Sequence, residues 1–133
     1  MKIATDLEQS KRLAEILPLE SADMWWNYYS VIYNTTPMVI LLDEPWLGSF
    51  NWENKKNNVP AWSLAALLDG LPDEITTKDG YEYNLRIVKD GVRYFLFYED
   101  SCGEKEDIDT NYHDDLVDAV YELILKLKDM DLI

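Results

Sequence analysis

The sequence predicts an α+β fold, and three observations carry that prediction. Residues 81–98, YEYNLRIVKDGVRYFLFY, read as a β-hairpin around Asp90-Gly91. Residues 114–130 repeat apolar side chains with a helical period. The order helix, two strands, helix, hairpin, helix keeps helices apart from antiparallel pairs, which is the α+β arrangement. The expected architecture is one domain over 1–133. Its mostly antiparallel sheet has about four strands (24–33, 38–43, 81–88 and 92–99), packed with helices at 6–17, 63–71 and 114–130.

The hairpin is the clearest of these signals. Asp-Gly suits a type I′ turn, with φ > 0 at both central residues. Pairing outward from that turn sets Ile87 opposite Tyr94, Leu85 opposite Leu96 and Tyr83 opposite Tyr98 on one face. Alternation puts Val88, Arg86 and Asn84 on the other, opposite Arg93, Phe95 and Phe97. One face is thus apolar, and the second is half polar with two phenylalanine rings on it.

Taken in order, Thr5-Asp6-Leu7-Glu8 fits a capping box opening the first helix, and Pro18 stops it. Glu20 to Asp23 reads as a turn. MWWNYYSVIY and MVILLD, separated by Asn34-Thr35-Thr36-Pro37, are rich in aromatic and β-branched residues and read as paired strands. Residues 44–58 form a long polar segment carrying Trp46, Phe50 and Trp52, either a cover for an open core edge or an aromatic binding loop. Ser63 is a candidate N-cap for LAALLD, which Gly70 and Pro72 end. A brief extended piece is expected at Glu74–Thr77. The last helix has Asp114 and Asp115 at its start and Lys126 and Lys128 near its end, as the helix dipole favours.

Composition narrows function. A hydrophobic content of 47% is enough for a core, and the net charge is −14. Nine acids against one lysine between Glu99 and Asp118 account for −8 of that charge. Phosphate backbones and anionic membranes repel such a surface, so neither direct nucleic-acid binding nor membrane docking is expected. One cysteine, no apolar run of membrane-spanning length and no leader-like N-terminus point to a cytoplasmic protein.

Chemistry-bearing motifs are sparse. Asp107, Asp109, Asn111 and Asp118 fall at calcium-loop spacing, but Tyr112 stands where the loop needs Gly, and helix capping is the simpler reading. His113 and Cys102, eleven residues apart, make neither a zinc set nor a spaced dyad. Glycines are scattered singly, so no phosphate loop is present. No enzyme and no cofactor are expected.

TDLEQSKRL (5–13), ESADM (20–24), VPAWSLAALLDGLP (59–72) and the closing DLVDAVYELILKLKDMDLI resemble a group of small uncharacterised bacterial proteins linked to prophages and other mobile elements. The resemblance covers about half the chain, omits Trp25 to Asn58, and implies no activity. Thr5, Gln9, Ser10 and Asp23 within it form a polar corner that either stitches the first helix in place or makes a small binding patch. The functional expectation is a non-catalytic accessory module of a mobile element that binds a protein partner or itself, with Trp46, Phe50, Trp52, Phe95 and Phe97 as candidate contacts. Alternatives are an acidic nucleic-acid mimic that blocks a basic host protein, and a small-ligand binder.

Overall fold

The computed structural model describes residues 2–26, 37–39 and 59–133. The fold is α+β, with two antiparallel sheets and three α-helices among the described residues. Contacts divide the chain into two compact units, Ile3–Ala66 and Leu67–Ile133 with Met1–Lys2.

In the first unit, helix α1 (Leu7–Leu13) precedes strands β1 (Met24–Trp26), β2 (Met38–Val39) and β3 (Val59–Ala61), which pair in the order β2-β1-β3. Pro60 stands opposite Trp25 on the outer strand of the described three. A residue without an N–H is tolerated there because one side of an edge strand donates to no neighbour. Ala4, Met24, Trp26, Val59 and Ala61 form the buried cluster, with Leu7 packed against it. The capping box of α1 uses Asp6 and Gln9, not Thr5 and Glu8: Asp6 Oδ1 accepts the Gln9 N–H at 2.8 Å, and Gln9 Oε1 accepts the Asp6 N–H at 3.1 Å. The helix is shorter than the expected 6–17, ending before turns that lead to Pro18. Helix α2 (Leu64–Asp69) follows, with Ser63 Oγ accepting the Ala66 N–H at 3.2 Å as an N-cap does.

The second unit contains strands β4 (Glu74–Thr76), β5 (Glu82–Asp90), β6 (Arg93–Asp100) and β7 (Ile108–Asp109), paired in that order. Helix α3 (Leu116–Asp129) packs against β6. Among the described residues of the expected 24–33 and 38–43 strands, Met24–Trp26 and Met38–Val39 do not join the hairpin in one sheet. The two edges of the hairpin are taken by β4 and β7, and Met24–Trp26 pairs instead with Met38–Val39 and Val59–Ala61. The rest of 24–33 and 38–43, and the 44–58 segment with Trp46, Phe50 and Trp52, lie outside the described residues.

The hairpin register also differs from the expected one. Asp90 pairs with Arg93, Ile87 with Leu96 and Leu85 with Tyr98. The two turn residues are therefore Gly91 and Val92, and Gly91 has φ +64° while Asp90 does not have positive φ. Positive φ at only the first central residue is what a type II′ turn requires, and Gly adopts it without a Cβ clash. The slip is two residues, one full period of side-chain alternation, so each residue keeps its expected face. What changes is burial. Leu96 and Tyr98 are fully buried, whereas Ile87, near the turn, is 46% exposed and forms no part of the core floor. Ile75, Tyr83 and Ile108 complete the buried face, beneath Val117, Val120, Leu123, Ile124 and Leu127 of α3. Tyr98 Oη donates to the Pro72 carbonyl at 2.7 Å, so this buried hydroxyl is satisfied.

Leu96→Ala is therefore expected to cost about 2–5 kcal/mol in urea unfolding, and Ile87→Ala less than about 1 kcal/mol. Equal losses at the two positions would contradict this division of the hairpin into a buried and an exposed end.

Candidate functional site

The polar corner of the first unit is a satisfied network. Thr5 and Ser10, both fully buried, share a hydroxyl hydrogen bond of 2.7 Å. Thr5 Oγ1 accepts the Trp62 N–H at 3.2 Å, the Thr5 N–H donates to the Trp62 carbonyl at 2.9 Å, and Trp26 Nε1 donates to the Thr5 carbonyl at 3.3 Å. Trp62, fully buried, donates its indole N–H to Ser21 Oγ at 2.9 Å. Asp23 accepts both the N–H and the hydroxyl of Ser63. These bonds join the helix start, the 19–21 turn and the 61–63 segment, and Gln9 is used in the α1 cap. The corner stitches the unit together.

The second unit carries a different kind of surface. Phe95 and Phe97, two residues apart on β6, project from the face opposite to Leu96 and Tyr98 and stack with centroids 5.6 Å apart and planes 17° apart. Tyr112 tilts against Phe95 at 4.8 Å, and the Arg93 guanidinium lies 4.8 Å over the Tyr112 ring. Phe95 and Phe97 are half-buried and Tyr112 is 49% exposed.

Tyr112 reaches this face through a bulge. Beyond β7 the chain continues along β6, but Asp109 opposes Phe97 whereas His113 opposes Tyr94, one residue more on the outer strand than on β6. Thr110 absorbs the extra residue. Its N–H donates to the Leu96 carbonyl at 2.9 Å, and its hydroxyl oxygen accepts the Leu96 N–H at 3.1 Å in place of a backbone carbonyl. An inserted residue reverses the alternation beyond it. Tyr112 is thereby turned to the Phe95 side and His113 to the α3 side, where its Nε2 meets Glu122.

Glu122 gathers several donors: His113 Nε2, the Asn111 N–H at 3.2 Å, Asn111 Nδ2 at 3.1 Å and Lys126 Nζ at 3.7 Å. Burial pushes its carboxyl up, but the His113 and Asn111 hydrogen bonds and the nearby positive charge outweigh burial and hold it below the usual carboxylate range. Asp100 behaves alike. It is buried, which alone would raise it, yet the N–H groups of Cys102, Lys105 and Glu104, at 3.1, 2.8 and 2.9 Å, hold its carboxyl low. Gly103, at φ +69°, lets the chain curl round that carboxylate. Burial pushes Tyr83 and Tyr98 up, with the charge of Asp100 adding to the shift at Tyr83 and that of Asp73 at Tyr98.

The calcium-spaced residues are used separately. Asn111 bonds Glu122, Asp118 pairs with Lys2 Nζ at 2.7 Å, Asp109 is exposed on β7 and Asp107 is exposed before it. Among the described residues no three His, Cys, Asp or Glu side chains form a group that could hold a metal ion. Cys102 is exposed in the 101–103 turn, while the His113 ring is engaged by Glu122. An open hollow of about 760 Å³ borders β4, lined in part by Pro72, Ile75, Thr77, Met130 and Leu132, and its charged lining residues are exposed. Among the described residues no helix is long and apolar enough to cross a membrane.

Of the candidate contacts, Phe95 and Phe97 are brought together. Sequence reading missed Tyr112, Arg93 and the His113–Glu122 pair; Tyr112 and His113 are placed by a bulge that an acidic stretch does not announce. Scans against protein-family profiles, curated proteins and solved structures each find no match for this chain.

The two depressed carboxyls fix a pH dependence. A group whose folded pKa lies below its unfolded value stabilises the fold above the unfolded pKa, and that contribution is lost as pH falls through the folded one. With unfolded values near about 3.9 for Asp and 4.3 for Glu, the urea midpoint is expected to fall as pH drops from about 5 to about 3. Glu122→Gln is expected to flatten that fall, and a slope identical to wild type would show that Glu122 adds nothing.

Proposed function

We propose that this protein is a non-catalytic interaction module that binds another protein through the outer face of its β4–β7 sheet. The observation that carries the reading is the stacked Phe95–Phe97 pair, extended by Tyr112, on the sheet face opposite to the packed helix α3. Two large rings side by side on a strand surface bury area on contact at low entropic cost, since each has few rotatable bonds. Aromatic residues of this kind are enriched at the energetic centres of interfaces. The bulge at Thr110 supports the same reading, because it adds a third ring to the patch. Nothing in the His113–Glu122 pair supplies a nucleophile, and its bonds to Asn111 and α3 give it a structural use. A role in a bacterial mobile element, in the cytoplasm, belongs to this reading on the strength of the sequence resemblance and the single cysteine.

The test is affinity capture with the full chain and a Phe95→Ser/Phe97→Ser variant, each first matched for urea midpoint. A protein partner retained by wild type is expected to fall at least about tenfold with the variant, as loss of two hot-spot rings implies. Equal recovery of the same partner by both would overturn the reading.

A further inference from the structure

We infer that the outer sheet face takes an arginine-rich polypeptide segment. This rests on the interaction-module reading and names the chemistry of its partner.

Charge selects that partner. By strand register, the side chains sharing the face of Phe95 and Phe97 include Glu74 on β4, Glu82 and Asp90 on β5, Glu99 on β6 and Asp109 on β7. All five are exposed. On that same face of the strands Arg86 and Arg93 offset them, Lys89 lying on the opposite face, and Arg86 is already drawn to Glu99 at 3.4 Å. The face is thus net negative with aromatic rings at its centre. On one side it is bordered by the 99–118 stretch, whose nine acids face one lysine. Asp100, Asp115 and Asp118 in that stretch are engaged internally, whereas Glu104, Glu106, Asp107 and Asp114 are exposed and add to the field beside the rings.

The aromatic rings of this unit already receive cations. Arg93 lies over Tyr112 at 4.8 Å, Lys105 over Tyr81 at 4.8 Å and Lys89 over Tyr94 at 5.9 Å. A guanidinium stacks flat on a ring while its edge N–H groups bond a carboxylate, a pairing an ammonium makes less well. Phe97, with the exposed Asp109 beside it on β7, offers both halves of such a contact, while Glu99 two residues on is shared with Arg86. A second copy of the chain is a poor occupant, since each carries −14. Single strands of nucleic acid could use the rings for stacking, but the carboxylates repel their phosphates.

The experiment titrates the full chain against three fluorescent twelve-residue peptides in which six Arg, six Lys or six Glu alternate with Gly and Ser, and against oligothymidylate of equal length. Binding is read by anisotropy and mapped by amide shift changes. The arginine peptide is expected to bind at least about fivefold tighter than the lysine peptide, reflecting the added ring contact. The glutamate peptide and the oligonucleotide are expected not to bind. Shift changes are expected on β6, β7 and Tyr112. Phe95→Ser/Phe97→Ser, and separately Glu99→Gln/Asp109→Asn, are each expected to weaken arginine-peptide binding about tenfold or more. Equal binding of arginine and lysine peptides, unaffected by the phenylalanine variant, would overturn the inference as charge attraction alone. So would tight binding of the glutamate peptide or the oligonucleotide, or dimerisation through this face. If affinity capture yields a phenylalanine-dependent partner whose contact segment is neutral or acidic, this inference fails and the interaction module stands. If no partner depends on the two rings, both fail.

Discussion

The constraint on which the second unit depends is the alternation of side chains along β6. Leu96 and Tyr98 must point one way and Phe95 and Phe97 the other, because successive residues of a strand face opposite sides. Helix α3 covers the first pair, and five of its side chains, Val117, Val120, Leu123, Ile124 and Leu127, are fully buried. The helix is held by one face of the sheet, and the two phenylalanines lie on the other. The aromatic character of that second face is therefore not needed to hold α3.

The bulge at Thr110 works on the same alternation. An uninterrupted strand from Ile108 would send Tyr112 towards the helix and His113 away from it. One extra residue exchanges the two, so that Tyr112 joins Phe95 while His113 meets Glu122. The hydroxyl of Thr110 keeps the Leu96 N–H bonded through the irregularity, which would otherwise leave a buried donor unpaired. Structure and surface chemistry are joined at this point: the helix is tied to the sheet through Glu122, Asn111 and His113, and the same few residues complete the aromatic patch. Asp100 does similar work at the other end of β6, where its buried carboxylate organises the start of the acidic loop.

Much of this was legible in the sequence, for identifiable reasons. The faces of the hairpin were readable because a two-residue slip of register preserves them, even though the turn itself uses Gly91-Val92 and the strand end at Ile87 is exposed. Helix α3 was readable from its period and its charges. The Ser63 cap and the short strand at Glu74–Thr76 also follow from local chemistry. The partners of Met24–Trp26 were not readable, because strand pairing is non-local and the three-residue β3 contains Pro60, a residue that speaks against a strand. Tyr112 and His113 were hidden because a bulge has no composition signature, and the acidic run around them reads as solvated loop. Thr5 looked like a cap, while Asp6 caps α1 and Thr5 is buried among Ser10 and Trp62.

The most direct test of this division of faces is solvent paramagnetic relaxation by a soluble gadolinium chelate, read at assigned ring and methyl protons. The account requires stronger relaxation at Phe95, Phe97 and Tyr112 than at Leu96, Tyr98 and Tyr83. Equal relaxation of the two groups, or a Tyr112 ring as protected as Tyr98, would contradict it.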